Sequence, residues 1–308
     1  MKFNKIVLFI AGVLMVFGFS GCGESSGDSD NVQTGTLSLN LTDAPIIDEL
    51  NVTGVYITVT GIEYHTTDGW KTMDEFNASI NPINLLDWQD GKSISLGDFQ
   101  LPAGKYTQMR FMLNAQEETG PVKSNAGCFI EFDGDTNKTL YVPSGSQTGY
   151  KAIGNYEVPV NGSVSMTADF DVRKSIVASR NGTYFKLKPT IKLVVTNEAG
   201  SIKGEVSNLE DNYTYVIYAY EYEDGISTWN DDEANDPDPS DSADIRFPNA
   251  ATSSLIKDAG AYTLSFLGAG SYDLIVATYD ENGDYDANHI EDNISVKSGE
   301  TTTFNLLL

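Results

Sequence analysis

The segment "DENGDYDANHIE", residues 280–291, places oxygen donors at alternate positions. Counting from Asp280, the side chains of Asp280, Asn282, Asp284, Asp286 and Asn288 fall at the odd positions, and Glu291 stands twelfth. A calcium ion takes six to eight oxygen ligands, and a tight loop of acids and amides closed by a bidentate glutamate supplies them. Two departures weaken the match. Tyr285 occupies the sixth position, where a sharp turn wants glycine, while Gly283 stands at the fourth, and the flanking segments read as strands rather than helices. The segment is therefore a candidate calcium loop of the weak extracellular kind, set against an ordinary acidic hairpin.

Other chemistry is sparser. "VPSGSQTGYK" brings Ser144, Ser146 and Lys151 close in sequence, but a Ser–Lys nucleophile needs a lysine neutralised by burial, and a structured turn is the plainer expectation. "NYTYVIYAYEYEDGISTW" sets Tyr218, Tyr220 and Tyr222 on one strand face and Tyr213 and Tyr215 on the other. Such a row either packs in a core or stacks on sugar rings and protein partners. His65 and His289, the only histidines, lie too far apart in sequence to argue for a zinc site or a triad. Asp169 and Asp171 read as the wet side of a strand, paired with Arg173 or Lys174. The stretch 231–244 holds seven acids and two prolines and reads as a hydrated loop.

The elements that must position these groups lie behind an export signal. Lys2 and Lys5 precede an apolar run from Ile6 to Phe19, shorter than the roughly 20 residues of a membrane span. "FSGC" then resembles the lipobox of bacterial lipoproteins, which implies cleavage before Cys22 and acylation of that cysteine. Residues 1–21 are the expected signal. Cys22 and the polar stretch to residue 34 form a tether reaching about 40 Å from the bilayer. Gly23 follows the cysteine where an inner-membrane lipoprotein often carries Asp, so the resemblance implies the outer membrane. With Cys22 acylated, Cys128 in "GCFIEF" has no disulfide partner and reads as a buried apolar residue.

The chain of 308 residues carries a net charge of −25, which becomes −27 when the signal takes Lys2 and Lys5 with it. A polyanion of this kind excludes nucleic acid as a partner. Residues 33–199 carry −6 and residues 200–308 carry −18, an asymmetry that points to two domains and to cations near the second. Period-2 alternation dominates: Leu37, Leu39, Leu41; Val55, Ile57, Val59; Val164, Met166, Ala168, Phe170, Val172; Phe185, Leu187, Ile191, Leu193, Val195. This is the pattern of strands with one face buried. "APIIDEL" (44–50), capped by Asp43, is the one expected helical turn. The expected fold is all-β: two antiparallel β-sandwich domains, residues 35–198 and 199–308, divided near "TNEAGS" and carried behind the lipidated tether.

"LNLTDAP" (39–45), "GIEYH" (61–65) with Trp70, "NLLDW" (84–88), "LPAGKYTQMR" (101–110), "VPSGSQTGYK" (142–151) and "DFDVRKSI" (169–176) occur in one order. On these motifs residues 35–196 resemble a bacterial lipoprotein family, domain of unknown function 4382, which implies placement in the envelope and no activity. In the second half "GSIKGEV", "AGAYTLSFLGAGSYDLIVATYDENG" and "ISVKSGETTTFNL" are similar to transthyretin-like, carboxypeptidase-regulatory sandwiches, accessory or adhesive modules. The expectation is thus a non-enzymatic, lipid-anchored envelope protein that binds envelope proteins or glycans, adheres or assembles. Calcium is its one candidate cofactor. The alternatives are an envelope hydrolase with an acidic loop site and a structural subunit of a surface complex.

Overall fold

The computed structural model describes residues 32–43, 52–77, 82–115, 127–133, 137–143, 148–178, 185–188, 190–235 and 245–308. Cys22 and its tether up to residue 31, the "APIIDEL" turn, Ser144, Ser146 and the insert from 236 to 244 lie outside the described residues. Gln33–Leu308 form one compact unit.

The fold is an all-β sandwich arrangement built as alternation dictates. In the strand Thr34–Asp43, Leu37, Leu39 and Leu41 are fully buried while Ser38 and Asn40 between them are half-buried. An eight-stranded sheet runs in the order Gly69–Thr72, Val59–Thr66, Gly104–Leu113, Tyr150–Val158, Ile191–Val195, Ser163–Phe170, Thr34–Asp43, Ile94–Pro102. A six-stranded sheet, Ile176–Ala178, Phe185–Leu187, Lys138–Tyr141, Phe129–Phe132, Val52–Ile57 and Ile83–Asn84, supplies the other wall. Their inner faces share one apolar cluster drawn from residues 37–193, with Cys128 inside it.

Most pairs are antiparallel. Period 2 cannot distinguish strand direction, and several pairs run parallel. Thr34–Asp43 lies beside Ser163–Phe170 with Leu39 opposite Met166 and Leu41 opposite Ala168, so like faces still meet like faces. Tyr150–Val158 also runs parallel to Ile191–Val195.

Beyond residue 200 a second pair of sheets encloses separate clusters. Gly200–Ser207 sits between Ala261–Leu267 and Thr301–Thr303, with Leu306–Leu307 also paired to it. The facing sheet runs Ile226–Ser227, Thr214–Glu223, Gly270–Tyr279, Tyr285–Val296, with Thr252–Leu255 paired to the second of these. Between the two sheets lie Ile202, Leu264, Ile217, Leu274 and Val276. The strand Thr214–Glu223 is buried continuously from Tyr215 to Tyr220, so both its faces are covered. Its outer face carries a third cluster of Val216, Tyr218, Tyr220, Phe247, Ala250, Ile275 and Tyr279.

At Gly204 the backbone of Phe304, which links the two C-terminal strands, lies against Gly200–Ser207. A Cβ there would lie 1.6 Å from the Phe304 carbonyl oxygen, whereas one at Gly61 would meet only the Met112 side chain at 3.7 Å. Gly204→Ala must therefore push backbone apart, at a cost of about 1–3 kcal/mol or more. Urea unfolding should show that loss for Gly204→Ala and a change within about 0.5 kcal/mol for Gly61→Ala.

Candidate functional site

The chemistry-bearing residues converge on the seam between the first sheets and the second. In Ser163–Phe170, Met166, Ala168 and Phe170 enter the core, which sends Thr167 and Asp169 to the opposite face. The chain then makes a single helical turn, Val172–Ser175, capped by Asp171, whose Oδ1 accepts the Lys174 N–H at 3.2 Å. That turn aims two cations across the seam. Arg173 Nη1 donates to the Phe247 carbonyl at 2.6 Å, and its guanidinium lies 5.3 Å from the Tyr218 ring centroid. Lys174 Nζ donates to the Ala250 carbonyl at 2.7 Å. Asp171 Oδ2 holds both, each at 3.3 Å. Charges withdrawn from water need such partners, because a buried ion without one costs several kcal/mol.

A second tie runs the other way. Asp90 accepts the Ser254 hydroxyl at 3.0 Å and pairs with Lys257. Lys192 and Glu221 meet at 3.6 Å, both about half exposed, and such a pair contributes at most about 1 kcal/mol.

Between these ties opens a cleft of about 590 Å³ lined by Asp169, Lys174, Lys192, Glu221, Glu223 and Asn249, among others. Asp169 is its distinctive group. Burial, and then the negative charge of Asp171, push its carboxyl up to about 7 against the opposing pull of Lys192, Lys174 and Arg173. Asp43, at the end of Thr34–Asp43, is fully enclosed behind it. It accepts the Val172 N–H at 3.1 Å and the Gln89 Nε2–H at 3.2 Å, yet burial still drives its carboxyl well above the usual range. A cavity of about 10 Å³ joins Thr42, Asp43, Asp90, Asp169 and Ser253, whose buried hydroxyl has no partner. The seam can hold protons at neutral pH and can accept a polar ligand. Asp169 and Asp171, expected on a wet face, are instead covered by the second half, and Asp171 pairs with both neighbouring cations.

The tyrosine row is committed to packing. Tyr218 is buried, stacked on Phe247 with centroids 4.2 Å apart, and shares a hydrogen bond with the Tyr279 hydroxyl at 3.2 Å. Tyr220 is buried and donates to Glu233 at 3.1 Å; Tyr222 donates to Asp273 at 2.8 Å. The start of the acidic insert covers this face. Residues 231–234 form a 3-10 turn whose buried Glu233 also accepts the Asn249 N–H at 3.1 Å. That part of the expected hydrated loop is therefore structural, its acid spent as an internal hydrogen-bond hub. The feature missed by sequence reasoning is the return segment 247–250, whose carbonyls take Arg173 and Lys174. No motif marks it, since backbone oxygens are the acceptors.

The candidate calcium residues are not gathered. Only Asp280–Asp284 form a turn; Tyr285–Val296 is a strand, which strings Asp286, Asn288 and Glu291 along about 3.3 Å per residue. Asp280 Oδ1 already accepts the N–H groups of Asn282 and Asp284 at 2.8 and 2.9 Å, which holds its carboxyl below the usual range. Glu291 pairs with His289 at 3.1 Å. Among the described residues no three acidic, histidine or cysteine side chains are arranged to hold a metal ion. Lys151 is exposed in Tyr150–Val158, opposite Arg110. His65 packs edge-on against Trp70, over which Arg110 lies at 4.5 Å while also pairing with Glu63 at 2.5 Å. The Cys128 thiol is pushed up to about 11 by burial and is unreactive.

An all-β chain whose first half carries these motifs around one seam is a β-sandwich protein, and comparison gives its family. The model described as Domain of unknown function (DUF4382) matches residues 34–189, just over half the chain, and the chain belongs to that family. No curated protein matches it. Among solved structures it is similar to a leucine-rich repeat protein from Bacteroides thetaiotaomicron VPI-5482, at 12% identity and TM-score 0.21, over 90% of this chain and 26% of that one. The Bacillus anthracis TIE protein is similar at 10% identity and TM-score 0.18, over 89% of this chain and 34% of that one. The minor pilin GBS52 of Streptococcus agalactiae gives 11% identity and TM-score 0.19, over 88% and 94%. The chain thus spans about a quarter and a third of the first two. Likeness at these scores carries no argument about function.

Two measurements check the site. The folded state holds the Asp169 proton up to about pH 7, while an unfolded aspartate releases it near about 3.9. The folded chain therefore binds more protons between those values, so this group's stabilisation is full below pH 4 and is lost as pH rises through 7. Wild type should lose roughly 2–3 kcal/mol from this group between pH 5 and 8 in urea unfolding, and Asp169→Asn should remove that component. Asp280→Ala should lower the melting temperature equally in chelator and in millimolar calcium, because its carboxylate serves backbone amides. A loss seen only with calcium would restore the loop as a metal site.

Proposed function

We propose that the chain is an exported lipoprotein, acylated at Cys22 and displayed from the outer membrane, that acts as a non-enzymatic binding or assembly protein of the cell envelope. On this reading the halves 35–198 and 199–308 are two sandwich domains, the second of the transthyretin-like kind, joined into one rigid body at the seam. The supporting observation is how the seam's ionic groups are spent. Asp171 holds Arg173 and Lys174, and those cations donate to the carbonyls of Phe247 and Ala250. Asp90 holds Ser254 and Lys257. Asp43 holds Val172 and Gln89. Each of these groups ties one segment to another, which suits a scaffold that presents surfaces.

The lipid anchor rests on the residues of "FSGC" and the apolar run before them. Two or more acyl chains give stable attachment, since each buried methylene contributes about 0.8 kcal/mol and one chain holds only reversibly. Cells expressing wild type should incorporate radiolabelled palmitate and retain the protein in the outer-membrane fraction. Cys22→Ala should do neither. Label in both, or wild type recovered from the soluble fraction, would overturn the anchoring.

A further inference from the structure

Away from the seam, the open end of the second sandwich carries a groove of about 470 Å³, within the range of small-ligand sites of about 300–1,000 Å³. Its floor follows from strand register. Tyr215, Thr278 and Ala287 stand side by side across three strands, and His289 lies opposite Val276 in the next row. Tyr213, two residues before Tyr215, points to the same side, with the two ring centroids 6.3 Å apart. Tyr213 is 37% exposed.

The groove is built rather than incidental. The turn leading into Tyr213 places Asn208 and Asn212 in the left-handed region, at φ 64 and 69, where asparagine is tolerated best among residues with a side chain. The Tyr215 hydroxyl accepts the Glu210 N–H at 2.9 Å and ties this turn back onto the floor. Asn208 Nδ2 donates to the Leu308 carbonyl at 3.2 Å, which fixes the amide and leaves its Oδ1 as an acceptor. Asn288 faces away from the groove: it stands opposite Ala277 on the other face of the sheet, where its Oδ1 accepts the Tyr285 hydroxyl at 2.6 Å. A flat ring thus stands beside one oriented acceptor.

We propose that this groove binds a neutral saccharide, with the Tyr213 ring stacking on the sugar face and Asn208 Oδ1 accepting from a hydroxyl. A sugar hydroxyl donates, which matches the amide oxygen that Asn208 presents. The apolar C–H face of a pyranose matches an aromatic ring that is itself half in water. Glu210 and Asp286 line the groove, and no lysine or arginine does, so phosphorylated, sulfated and uronic sugars are disfavoured. Hydrophobic peptides find no apolar pocket. The remaining rival is a lysine-rich peptide drawn to the two acids.

The proposal deepens the reading of an envelope binding protein by naming a partner class, but it stands on this groove and not on the anchor or the seam. Its test uses the full chain and ligand-detected saturation-transfer NMR, with maltohexaose, cellohexaose, xylohexaose and chitohexaose as probes and a Lys-rich hexapeptide as rival. Wild type, Tyr213→Phe, Asp169→Asn and Cys22→Ala should all saturate at least one of the saccharides. Tyr213→Ala should weaken that binding tenfold or more at an unchanged melting temperature, and Asn288→Ala, on the opposite face of the sheet, should leave it unchanged. Silence from every saccharide, equal binding by Tyr213→Ala, or binding of the peptide alone would overturn the proposal. Saccharide binding that survives while Cys22→Ala and wild type fractionate alike would sink the anchoring and leave the groove standing.

Discussion

The buried guanidinium of Arg173 is the constraint around which the seam is arranged. A guanidinium cannot shed its charge, so its burial is tolerable only if its donors and its positive field are met. Asp171 meets part of both, and it also caps the turn that carries Arg173. The other half adds the Phe247 carbonyl and the face of Tyr218, while the buried Nε–H has no hydrogen-bond partner among the described residues. Removing one member of such a group leaves a buried charge unpaired, at a typical cost of about 3–5 kcal/mol. The first half is therefore not a finished surface where it meets the second. It ends in a cation that Asp171 meets from the first half and Phe247 and Tyr218 meet from beyond residue 200.

The same contact explains the architecture of the aromatic layer. A two-sheet sandwich ordinarily leaves one face of each sheet to water. Thr214–Glu223 departs from that rule because residues 231–235 and 247–250 cover it, with Phe247 seated between Tyr218 and the ring of Trp229 at centroid distances of 4.2 and 5.8 Å. Phe247 adopts a φ of 54, a conformation costing a bulky residue on the order of 1–3 kcal/mol. That strain points its carbonyl at Arg173 while its ring completes the stack. Glu233, buried and bonded by Tyr220 and Asn249, clamps the two ends of the insert together. Stacking, clamp and cation act on one another, so the layer is stable as a set.

Alternation made the strands and their buried faces legible, and with them the all-β class, since Leu37, Leu39 and Leu41 or Phe185 and Leu187 admit few other readings. Strand direction was not legible, because parallel and antiparallel neighbours impose the same period of two. The row from Tyr218 to Tyr222 offered two readings of equal chemistry, and only a long-range partner, Phe247, decides between them. Asp280 to Glu291 matched a ligand spacing in one dimension. The hairpin turn ends at Asp284, and the strand that follows sets the later oxygens too far apart. Asp169 and Asp171 were legible as a pair beside two cations, but their covering was not, because the acceptors opposite are carbonyls that any residue could supply.

The distribution of charge follows from this division of labour. The second half carries most of the chain's excess acid, and at the seam its Glu221 pairs with Lys192 of the first half. Others, such as Glu210, Asp280 and Asp286, lie exposed on turns and edges, where water solvates them. Against that acidic background a neutral, hydroxyl-rich molecule pays no electrostatic penalty on approach, whereas an anion does. The exposed tyrosine at the far end of the sandwich is thus placed where the surface field already selects the kind of ligand its ring can stack upon.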